Sequence, residues 1–437
     1  MNVRRLALSF LEEYEALGKY INLSLTSHRA DNLSPEERAF LTSLLYTSVE
    51  NKLTYDYYIS ALSGRGSDKI DMTTKNILRL GLCQLLDMDS VPSFAAVNET
   101  VKLARNAGER SFVNGVLRAA ERQRESLPLP EKEKNYARYL SVKHSFPLWI
   151  VKKFISVYGY SETEKLLISH RKIAPTDLTV NTGKISVDDF YKKLLKRGYD
   201  VSLSDTSALT VRINGSVDPK RLPGYCEGEF FVQDASCAAS IAALAPRENE
   251  HIIDVCAAPG GKSFASAILM KDTGRVTSFD IHESKISLIL SGAERLSLKS
   301  VATSPRDAAN PDRELFGAAD KVICDVPCSG LGVLRKKPDL RYRSEEGLSE
   351  LPELQYSILS ASAKYLKAGG RMVYSTCTLL PEENGCVVNR FLAENKNFRA
   401  VDFSVGKFRS ENGRFTFLPH IHNTDGFFVC LLEKDRL

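Results

Sequence analysis

Asp254-Val-Cys-Ala-Ala-Pro-Gly-Gly-Lys-Ser263 is the stretch of sequence that decides the fold of this chain. It begins inside a β-branched run, His251-Ile-Ile-Asp-Val255, and it opens a helical stretch that continues to Met270. Glycines at such a junction let the backbone approach a ligand closely, and the first amide groups of the helix stay free to bind it. The pattern predicts a cofactor loop between a strand and a helix.

Two common nucleotide-binding loops fit this stretch less well. Its Gly-Lys-Ser ending is typical of the phosphate-binding loop of nucleoside triphosphatases, but Cys256 stands where that motif requires its first glycine. The glycine spacing also differs from GxGxxG, although a nicotinamide cofactor remains an alternative at this point. The sequence therefore disfavours a nucleoside triphosphatase.

Short β-branched runs alternate with helical stretches from about residue 230 to the C-terminus. The predicted strands after the first are 275–280, 321–325, 371–375 and 426–432. This alternation predicts βαβ units and a mostly parallel sheet. Asp280 ends the second strand, where a carboxylate often binds a ribose hydroxyl pair, and Asp307 follows a weaker third strand, where it could meet an adenine amino group.

Two cysteines close strand-like runs in the last third of the chain. Cys328 lies in Asp325-Val-Pro-Cys-Ser-Gly-Leu-Gly332, and Cys377 ends Tyr374-Ser-Thr-Cys377. Either thiol alone would most often be a small buried hydrophobic group. Ligands of open α/β sheets bind at the carboxyl ends of the strands, so we expect both thiols beside the cofactor loop. The pair therefore predicts a catalytic site.

The length of the chain, 437 residues, exceeds what one hydrophobic core usually supports, so two or three domains are expected. Residues 1–130 are predicted to form an all-α domain, because apolar residues recur at three- and four-residue spacing. In this domain Ser34 is predicted to cap one helix, with Glu37 completing the capping box. Residues 140–228 predict a helix and a small α+β subdomain, and residues 229–437 predict the α/β domain.

The composition is that of a globular protein without a disulfide framework. Nine cysteines form no CxxC pair, which argues against cysteine-pair zinc sites and favours a reducing cytoplasm. His420 and His422 form an isolated His-x-His without further ligands, so we predict no metal site. We also predict neither a signal peptide nor a membrane span, because Glu12 and Glu13 end the apolar N-terminal run early.

A basic run, Leu334-Arg-Lys-Lys-Pro-Asp-Leu-Arg-Tyr-Arg343, follows the Cys328 motif. Charge runs are usually solvated faces, but beside a catalytic site they can neutralise RNA phosphates and guide an unstacked base to the thiols. The net charge of +5 is a weak further indication of a polyanionic partner. We therefore predict RNA contacts by Arg335, Lys336, Lys337, Arg341 and Arg343.

The motifs around the two cysteines resemble those of the Nol1/Nop2/Sun family of RNA cytosine-5 methyltransferases, which use S-adenosylmethionine. The resemblance rests on Asp254–Ser263, on Asp325–Gly332, and on Ser375-Thr-Cys377 followed by Pro381-Glu-Glu-Asn384. Two cysteine motifs together are highly specific for this family. The resemblance implies a Rossmann-like methyltransferase domain at the C-terminal end of the chain.

The rest of the chain also resembles bacterial members of this family. The N-terminal domain, with Ala95–Thr100 and Phe112–Arg118, is similar to the RNA-binding fold of the antitermination factor NusB. Gln233–Ser236 and Asp425–Phe428 extend the resemblance over nearly the whole chain. It implies a NusB-like domain, a small RRM- or ferredoxin-like subdomain and the methyltransferase domain, in that order.

The resemblance also implies a cofactor and a partner. S-adenosylmethionine would be bound by Asp280, Asp307, Asp325 and the loop residues Cys256, Ala257, Ala258, Pro259, Gly260, Gly261 and Lys262. The implied partner is 16S ribosomal RNA before full subunit assembly, with cytosine 967 as the target base. The implied protein is a cytoplasmic monomer that binds neither DNA nor a membrane.

Methylation at carbon 5 of cytosine needs a nucleophile, because carbon 5 becomes reactive only after a thiolate has added to carbon 6. The sequence alone does not show which cysteine attacks. The resemblance implies that Cys377 is the nucleophile and Cys328 assists its release, while Asp325 stabilises charge on the ring. Lys262 is interpreted as orienting the base or lowering a thiol pKa, with a solvent-facing lysine as the alternative.

Two positions depart from the pattern of the family. Thr179 stands where an arginine is usual, and Glu50 lies near an expected basic residue. Both departures concern the grip on RNA rather than the chemistry. Two alternative functions remain, a transfer RNA cytosine-5 methyltransferase and a non-catalytic RNA-binding or ribosome assembly factor. A vestigial site would be expected to lose a thiol or its glycines, and this chain retains both.

Overall fold

The described residues, 2–18, 20–215 and 217–436 of a computed structural model, divide into two units. The first unit comprises the chain up to Arg171 together with Lys337–Arg343, and the second comprises Lys172–Lys336 and the chain from Ser344 onward. Among the described residues, no helix combines the length and the apolar character needed to cross a bilayer.

The first unit is built from helices, as the three- and four-residue apolar spacing predicts. Ser34 accepts a hydrogen bond from the Glu37 amide, and the Glu37 carboxyl group accepts one from the Ser34 amide, so the predicted capping box is confirmed. The helices are α1 Val3–Leu17, α2 Ile21–Leu25, α3 Pro35–Glu50, α4 Lys52–Ser63, α5 Met72–Leu86, α6 Ser93–Val101, α7 Ala107–Arg122, α8 Tyr136–His144 and α9 Leu148–Ser169. Helix α5 lies at the centre, with both of its faces buried.

A short segment from late in the chain, Lys337–Arg343, forms part of the interior of the first unit. Arg341 is completely buried there and donates hydrogen bonds to the carbonyl oxygens of Glu50, at 3.3 Å, and His170, at 2.9 Å. Its guanidinium carbon lies 4.3 Å from the centre of the Phe146 ring. The Tyr342 hydroxyl also contacts the Glu50 carbonyl, at 3.3 Å. Glu50 therefore anchors this segment through its backbone.

We expect replacement of Arg341 by alanine to destabilise the first unit by about 3 kcal/mol, because two buried carbonyl groups lose a charged donor and a large side chain leaves a cavity. Urea unfolding followed by circular dichroism measures this change. Lys337→Ala, which removes an exposed cation from the same segment, is the matched control and should leave the midpoint unchanged. Equal midpoints for the two variants would contradict the structural role of Arg341.

The second unit begins with a small α+β sheet, as predicted for this part of the chain. Its elements are β1 Thr176–Val180, α10 Val187–Lys196, β2 Val201–Leu203, β3 Thr210–Ile213 and β4 Phe230–Val232. The strands are antiparallel in the order β2-β3-β1-β4, and α10 covers them through Phe190 and Leu194. Thr179, in β1, is buried and donates a hydrogen bond to Gln233. The Thr179 hydroxyl is therefore used in a hydrogen bond inside the second unit.

In the described part of the chain, the larger sheet of the second unit contains eight strands. Its elements and flanking helices are α11 Ala235–Leu244, β5 His251–Asp254, α12 Gly261–Leu269, β6 Arg275–Asp280, α13 Glu283–Leu296, β7 Val301–Pro305, β8 Ala319–Asp325, α14 Leu351–Ser362, β9 Leu366–Thr376, α15 Gly385–Glu394, β10 Phe398–Ala400, β11 Ser404–Val405, β12 Phe408–Arg409, β13 Arg414–Phe417, α16 Pro419–His422 and β14 Phe427–Lys434. Strands β11 and β12 form a separate two-stranded ribbon.

The strand order of the larger sheet is β10-β14-β9-β8-β5-β6-β7, with β13 paired to β14. Neighbouring strands from β9 to β7 are parallel, whereas β14 is antiparallel to β9. The carboxyl ends of β5, β6, β8 and β9 therefore meet at one edge, where Asp254, Asp280, Asp325 and Thr376 end their strands. The predicted fold class of three different parts, all-α, small α+β and α/β, is confirmed.

The predicted subdomain of residues 140–228, which includes the helix before the small sheet, stays a prediction. In the structure, α8 and α9 lie in the first unit, which ends at Arg171. Apolar residues on α9, among them Ile150, Phe154 and Leu166, are completely buried. Helix α9 therefore has an apolar face that is buried.

Candidate active site

The predicted cofactor loop lies between β5 and α12. The Ala257 amide donates a 2.7 Å hydrogen bond to the Phe279 carbonyl, which ties the loop to the neighbouring strand β6. Gly260 has a φ of 109°, a conformation that favours glycine, and a side chain at this position would collide with Phe264. The loop therefore turns sharply into α12 and presents the first amide groups of that helix.

Asp254, at the end of β5, is hydrogen-bonded to the helix that follows the cofactor loop. Its carboxyl oxygen Oδ2 accepts a 2.7 Å hydrogen bond from the Ser263 hydroxyl, which itself accepts one from Ser278 at 2.8 Å. Asp254 is completely buried, and this burial raises its pKa to about 7. Its role in the structure is to fix helix α12 against the sheet.

The two predicted nucleoside contacts lie at the ends of the next two strands. Asp280 ends β6, and its Oδ1 accepts a 3.0 Å hydrogen bond from the His282 amide. Asp307 follows β7 and accepts hydrogen bonds from the Ala309 amide, at 2.9 Å, and from Asn310, at 2.6 Å. Carboxylates beside free helix amides form a donor and acceptor set that fits the hydroxyl and amino groups of a nucleoside.

Lys262 and Asp325 form an ion pair between α12 and the end of β8. Lys262 Nζ lies 2.6 Å from Asp325 Oδ2, and the Ser375 hydroxyl donates a 2.6 Å hydrogen bond to Oδ1. The ammonium group also lies 5.3 Å from the centre of the Phe427 ring. Burial alone would lower the pKa of Lys262, but the charge of Asp325 outweighs burial and raises that pKa above its ordinary value. The lysine therefore faces the site rather than solvent.

The two predicted thiols lie side by side. The sulfur atoms of Cys328 and Cys377 are 3.1 Å apart, a distance at which one thiol donates a hydrogen bond to the other. The hydrogen bond with Cys377, followed by burial, raises the pKa of Cys328 well above its ordinary value. Cys328 therefore retains its proton more strongly than a free cysteine.

Backbone contacts hold the two cysteine loops against each other. The Gly332 amide donates a 2.9 Å hydrogen bond to the Cys377 carbonyl, and the Gly426 amide donates one of 2.8 Å to the Gly332 carbonyl. A side chain at Gly332 would collide with the backbone of Gly426 and of Cys377. Only glycine fits at position 332, because the backbone there lies against the backbone of Gly426 and Cys377. This contact joins the two predicted motifs Asp325–Gly332 and Asp425–Phe428.

Arg335 and Lys336, two of the predicted RNA contacts, instead make ion pairs inside the second unit. Lys336 Nζ lies 2.7 Å from Asp234 and 2.8 Å from Asp425, and Arg335 Nε lies 3.2 Å from Asp425. Only 2% of the Arg335 side chain is exposed. Burial, with the neighbouring charge of Asp234, raises the pKa of Asp425 to about 6. These cations hold Asp425–Phe428 to the start of α11.

The structure therefore argues against direct phosphate contact by Arg335 and Arg341, since both side chains are buried. Lys336 is committed to two carboxylates. Lys337 is exposed, and Arg343 is exposed beside Tyr20, so these two cations remain accessible. Counting charge along the sequence overestimated the basic surface, because the acidic partners lie far away in the chain.

His422, the second histidine of the His-x-His near the C-terminus, lies among aromatic residues. His422 Nδ1 accepts a 2.7 Å hydrogen bond from the Leu418 amide, and its ring packs against Phe408, Phe415 and Phe417. In the part of the chain that the structure describes, no group of three or more potential ligand side chains could hold a metal ion. His422 is a half-buried histidine that packs against aromatic rings.

One group in the site was not predicted. Glu383 belongs to the quoted Pro381-Glu-Glu-Asn384 motif, but the sequence did not indicate which of its two glutamates is buried or what it binds. In the structure, Glu383 is buried between the loops that carry Cys328 and Cys377. The available signal was the motif itself, directly after the Thr-Cys cysteine.

Known protein families match each part of the chain. The model of the family described as 16S rRNA methyltransferase RsmB/F matches residues 241–433, so the larger sheet of the second unit is a methyltransferase domain. The NusB family matches residues 1–122, and the ferredoxin-like domain of RsmF/B-like methyltransferases matches residues 146–219.

Curated relatives cover the whole chain. A probable ribosomal RNA small subunit methyltransferase B from Bacillus subtilis is 35% identical, over 99% of both chains. A probable ribosomal RNA small subunit methyltransferase B from Synechocystis is 34% identical over 99% of this chain and 100% of its own, and the Escherichia fergusonii enzyme is 30% identical over 99% of both. The chain belongs to the ribosomal RNA small subunit methyltransferase B family.

Solved structures agree with this assignment. The PH0851 protein superposes with a TM-score of 0.80 at 25% identity and covers 99% of both chains. A methyltransferase homologue from Pyrococcus horikoshii superposes with a TM-score of 0.58 at 25% identity, over 68% of this chain and 97% of its own. S-adenosylmethionine is the methyl donor of this family.

Proposed function

We propose that this protein methylates carbon 5 of a cytosine in 16S ribosomal RNA, and that Cys377 forms a covalent bond to carbon 6 of that base. The observation that carries the proposal is the pair of thiols 3.1 Å apart at the carboxyl edge of a methyltransferase sheet. A methyltransferase acting on an oxygen or an exocyclic nitrogen needs no thiol, because those atoms are already nucleophilic. Two thiols beside the cofactor loop therefore favour attack on a ring carbon.

The two thiols differ in a way that supports unequal roles. A protonated Cys328 can donate a hydrogen bond to the Cys377 sulfur, which stabilises the Cys377 thiolate for attack on carbon 6. After methyl transfer, a base must take the proton from carbon 5 so that the carbon–sulfur bond breaks. Once Cys377 is bonded to carbon 6, its sulfur no longer holds the Cys328 proton, and that proton passes to solvent. The Cys328 thiolate then takes the proton from carbon 5, the electron pair of that bond restores the ring double bond, and Cys377 leaves as a thiolate, so we assign Cys328 to this release step.

Asp325 and Lys262 are proposed to act on the base itself. Addition of a thiolate to carbon 6 moves negative charge toward nitrogen 3 of the ring. A proton taken up at nitrogen 3 from solvent neutralises this charge, and the Asp325 carboxylate would accept a hydrogen bond from it. The ion pair with Lys262 keeps the Asp325 side chain oriented at the strand end. Lys262 thus positions Asp325, and its ammonium group adds positive charge to the site.

The methyl donor is proposed to bind along the carboxyl ends of β5, β6 and β7. When bound, S-adenosylmethionine supplies an electrophilic methyl group on a sulfonium. The amides of Gly261 and Lys262 at the start of α12 would hold the donor close to the thiols, since the Gly260 amide already donates to the Ala257 carbonyl. Asp280 would accept hydrogen bonds from its ribose, and Asp307 would accept one from its adenine. The loop residues predicted from the sequence keep this role as a proposal.

We expect Asp280→Ala to raise the KM for S-adenosylmethionine about 30-fold, because a charge-assisted hydrogen bond contributes about 2 kcal/mol. The value of kcat should change less than about threefold, since Asp280 does not touch the reacting atoms. Steady-state kinetics with varied donor concentration measures both constants. Glu283→Gln, at an exposed carboxylate just after β6, is the control and should match wild type. An unchanged KM in Asp280→Ala would remove Asp280 from the donor site.

RNA is proposed to reach the thiols as an unstacked base, because a stacked cytosine does not expose carbon 6 to an attacking sulfur. The NusB-like unit and the accessible cations Lys337 and Arg343 would contact phosphates, whereas Arg335, Lys336 and Arg341 support the protein internally. Small-subunit RNA is the named substrate of the relatives, and the family resemblance suggests cytosine 967 as the base.

The test uses the full-length protein with S-adenosylmethionine carrying a tritiated methyl group. We expect label in unmodified 16S ribosomal RNA and none in transfer RNA, and bisulfite sequencing of the labelled RNA should identify one cytosine. Assembled small subunits tested in parallel should be poorer substrates. Label in transfer RNA alone would favour the transfer RNA methyltransferase. Donor binding without any label in either RNA would favour a non-catalytic RNA-binding factor.

A further inference from the structure

Glu383 lies between the two cysteine loops in the second unit. It ends the short turn Pro381–Glu383 that follows Cys377, and only 2% of its surface is exposed. Its Oε2 accepts hydrogen bonds from the Ser329 amide and from Gln355 Nε2, both at 2.9 Å. Its Oε1 accepts a hydrogen bond from the Thr378 hydroxyl, at 3.3 Å. One buried carboxyl group thus contacts both loops.

The contacts of Glu383 fall next to each thiol. Ser329 directly follows Cys328, and Thr378 directly follows Cys377. The hydroxyl groups of Ser329 and Thr378 are themselves 2.7 Å apart. The two loops are therefore joined one residue beyond each sulfur atom, through one carboxyl group and one pair of hydroxyl groups.

The turn that carries Glu383 is fixed from behind. The Tyr374 hydroxyl, in β9, donates a 2.6 Å hydrogen bond to the Glu383 carbonyl. The neighbouring Asn384 accepts a hydrogen bond from the Thr376 hydroxyl and donates one of 3.1 Å to the Thr378 carbonyl. Gln355, in α14, also donates to the Pro327 carbonyl, at 2.9 Å. The carboxyl group is therefore held at a defined place relative to the strand ends.

We propose that Glu383 is a positioning residue that sets the distance and orientation between the Cys328 and Cys377 sulfur atoms. This inference rests on the proposed division of labour between the two thiols. The proposal follows from the geometry, because the Glu383 carboxyl group accepts a hydrogen bond from the Ser329 amide and another from the Thr378 hydroxyl. A displacement of about 1 Å between reacting groups can lower a rate about 100-fold.

A glutamine at this position separates geometry from charge. Its side-chain oxygen can accept from Ser329 and Gln355 as the glutamate does, and its amide group can donate to Thr378, whose hydroxyl both donates and accepts. The Glu383→Gln variant therefore keeps the link between the loops but removes the negative charge near Cys328. The Glu383→Ala variant removes both.

The first readout is methyl transfer by full-length variants. We expect Glu383→Ala to lower kcat about 100-fold with KM values for RNA and donor within about threefold of wild type, and Glu383→Gln to recover activity to within about fivefold. Glu382→Gln removes a charge from the exposed neighbouring glutamate and should equal wild type. Glutamine and alanine variants that are equally impaired would overturn the positioning role, and so would an alanine variant with wild-type kcat.

The second readout does not depend on catalysis. Diamide oxidises two thiols to a disulfide, and both electrons and both protons pass to the nitrogen–nitrogen double bond of the reagent. We expect the Cys328–Cys377 disulfide, followed by mass spectrometry of the linked peptides, to form about 10-fold more slowly in Glu383→Ala than in wild type or Glu383→Gln. Equal rates in all three proteins would overturn the proposal. Since this rate needs no RNA, it judges the inference even if the proposed substrate is wrong.

A milder variant covers the case in which Glu383→Ala does not fold. Thr378→Val keeps the shape of a completely buried side chain but removes the hydroxyl group that contacts both Ser329 and Glu383. We expect kcat to fall about 10-fold and the disulfide rate to fall by a similar factor. Wild-type values of both quantities in a folded Thr378→Val protein would overturn the inference.

Discussion

Replacing Cys377 by alanine is expected to abolish methyl transfer, with a loss of at least about 1,000-fold in kcat. The reason is chemical, because without sulfur addition at carbon 6 the ring has no nucleophilic carbon 5. The loss is measured as the rate at which the tritiated methyl group is transferred to 16S ribosomal RNA. The binding of S-adenosylmethionine, followed by calorimetry, should stay within about threefold of wild type, which separates a chemical defect from a folding defect.

The matched control for this prediction is Cys386→Ala, which removes an exposed thiol on α15. Its activity should equal that of wild type. If Cys377→Ala retained activity while Cys328→Ala lost it, the two cysteines would exchange roles. The chemistry of attack on carbon 6 would stand, but Cys328 would be the nucleophile.

Replacing Cys328 by alanine is expected to fail at a different step. Attack by Cys377 and methyl transfer can still occur, but the proton on carbon 5 then lacks the base that we assign to it, so the carbon–sulfur bond persists. We expect turnover to fall about 100-fold while a covalent protein–RNA adduct accumulates. Denaturing gel electrophoresis with labelled RNA detects the adduct as a band that survives detergent and heat.

The double variant Cys328→Ala/Cys377→Ala provides the control, since it should form no adduct. An adduct in the double variant would show that another of the nine cysteines attacks the base. Absence of an adduct in Cys328→Ala, with normal turnover, would mean that release needs no second thiol. Either result would contradict the proposed division of labour.

The parts of the site that follow strand ends could be predicted from sequence. The cofactor loop, Asp280, Asp325 and both cysteines each lie directly after a β-branched run, and parallel strands bring their carboxyl ends to one edge. The capping box at Ser34 could be predicted for a second reason, because all its groups lie within three residues of each other in the sequence. Local pattern and sheet geometry suffice for such features.

The roles of the basic run could not be predicted in this way. Lys336 and Asp234 are 102 positions apart in the chain, and Arg341 and His170 are 171 positions apart. The sequence does not indicate which residues at such a distance will pair with a given cation. Buried and exposed cations therefore cannot be told apart from the sequence. The same holds for Glu383, whose contact with Ser329 spans 54 positions and whose neighbour Glu382 is chemically identical but exposed.

The inclusion of Lys337–Arg343 in the first unit has a consequence for the synthesis of this protein. Domains generally fold in order as the ribosome makes them, N-terminal first. Here the carbonyl groups of Glu50 and His170 cannot receive their hydrogen bonds from Arg341 until the loop that carries Cys328 has also been made. The N-terminal helices therefore complete their interior late in translation, and a truncated nascent chain that ends after α9 leaves that interior unfinished.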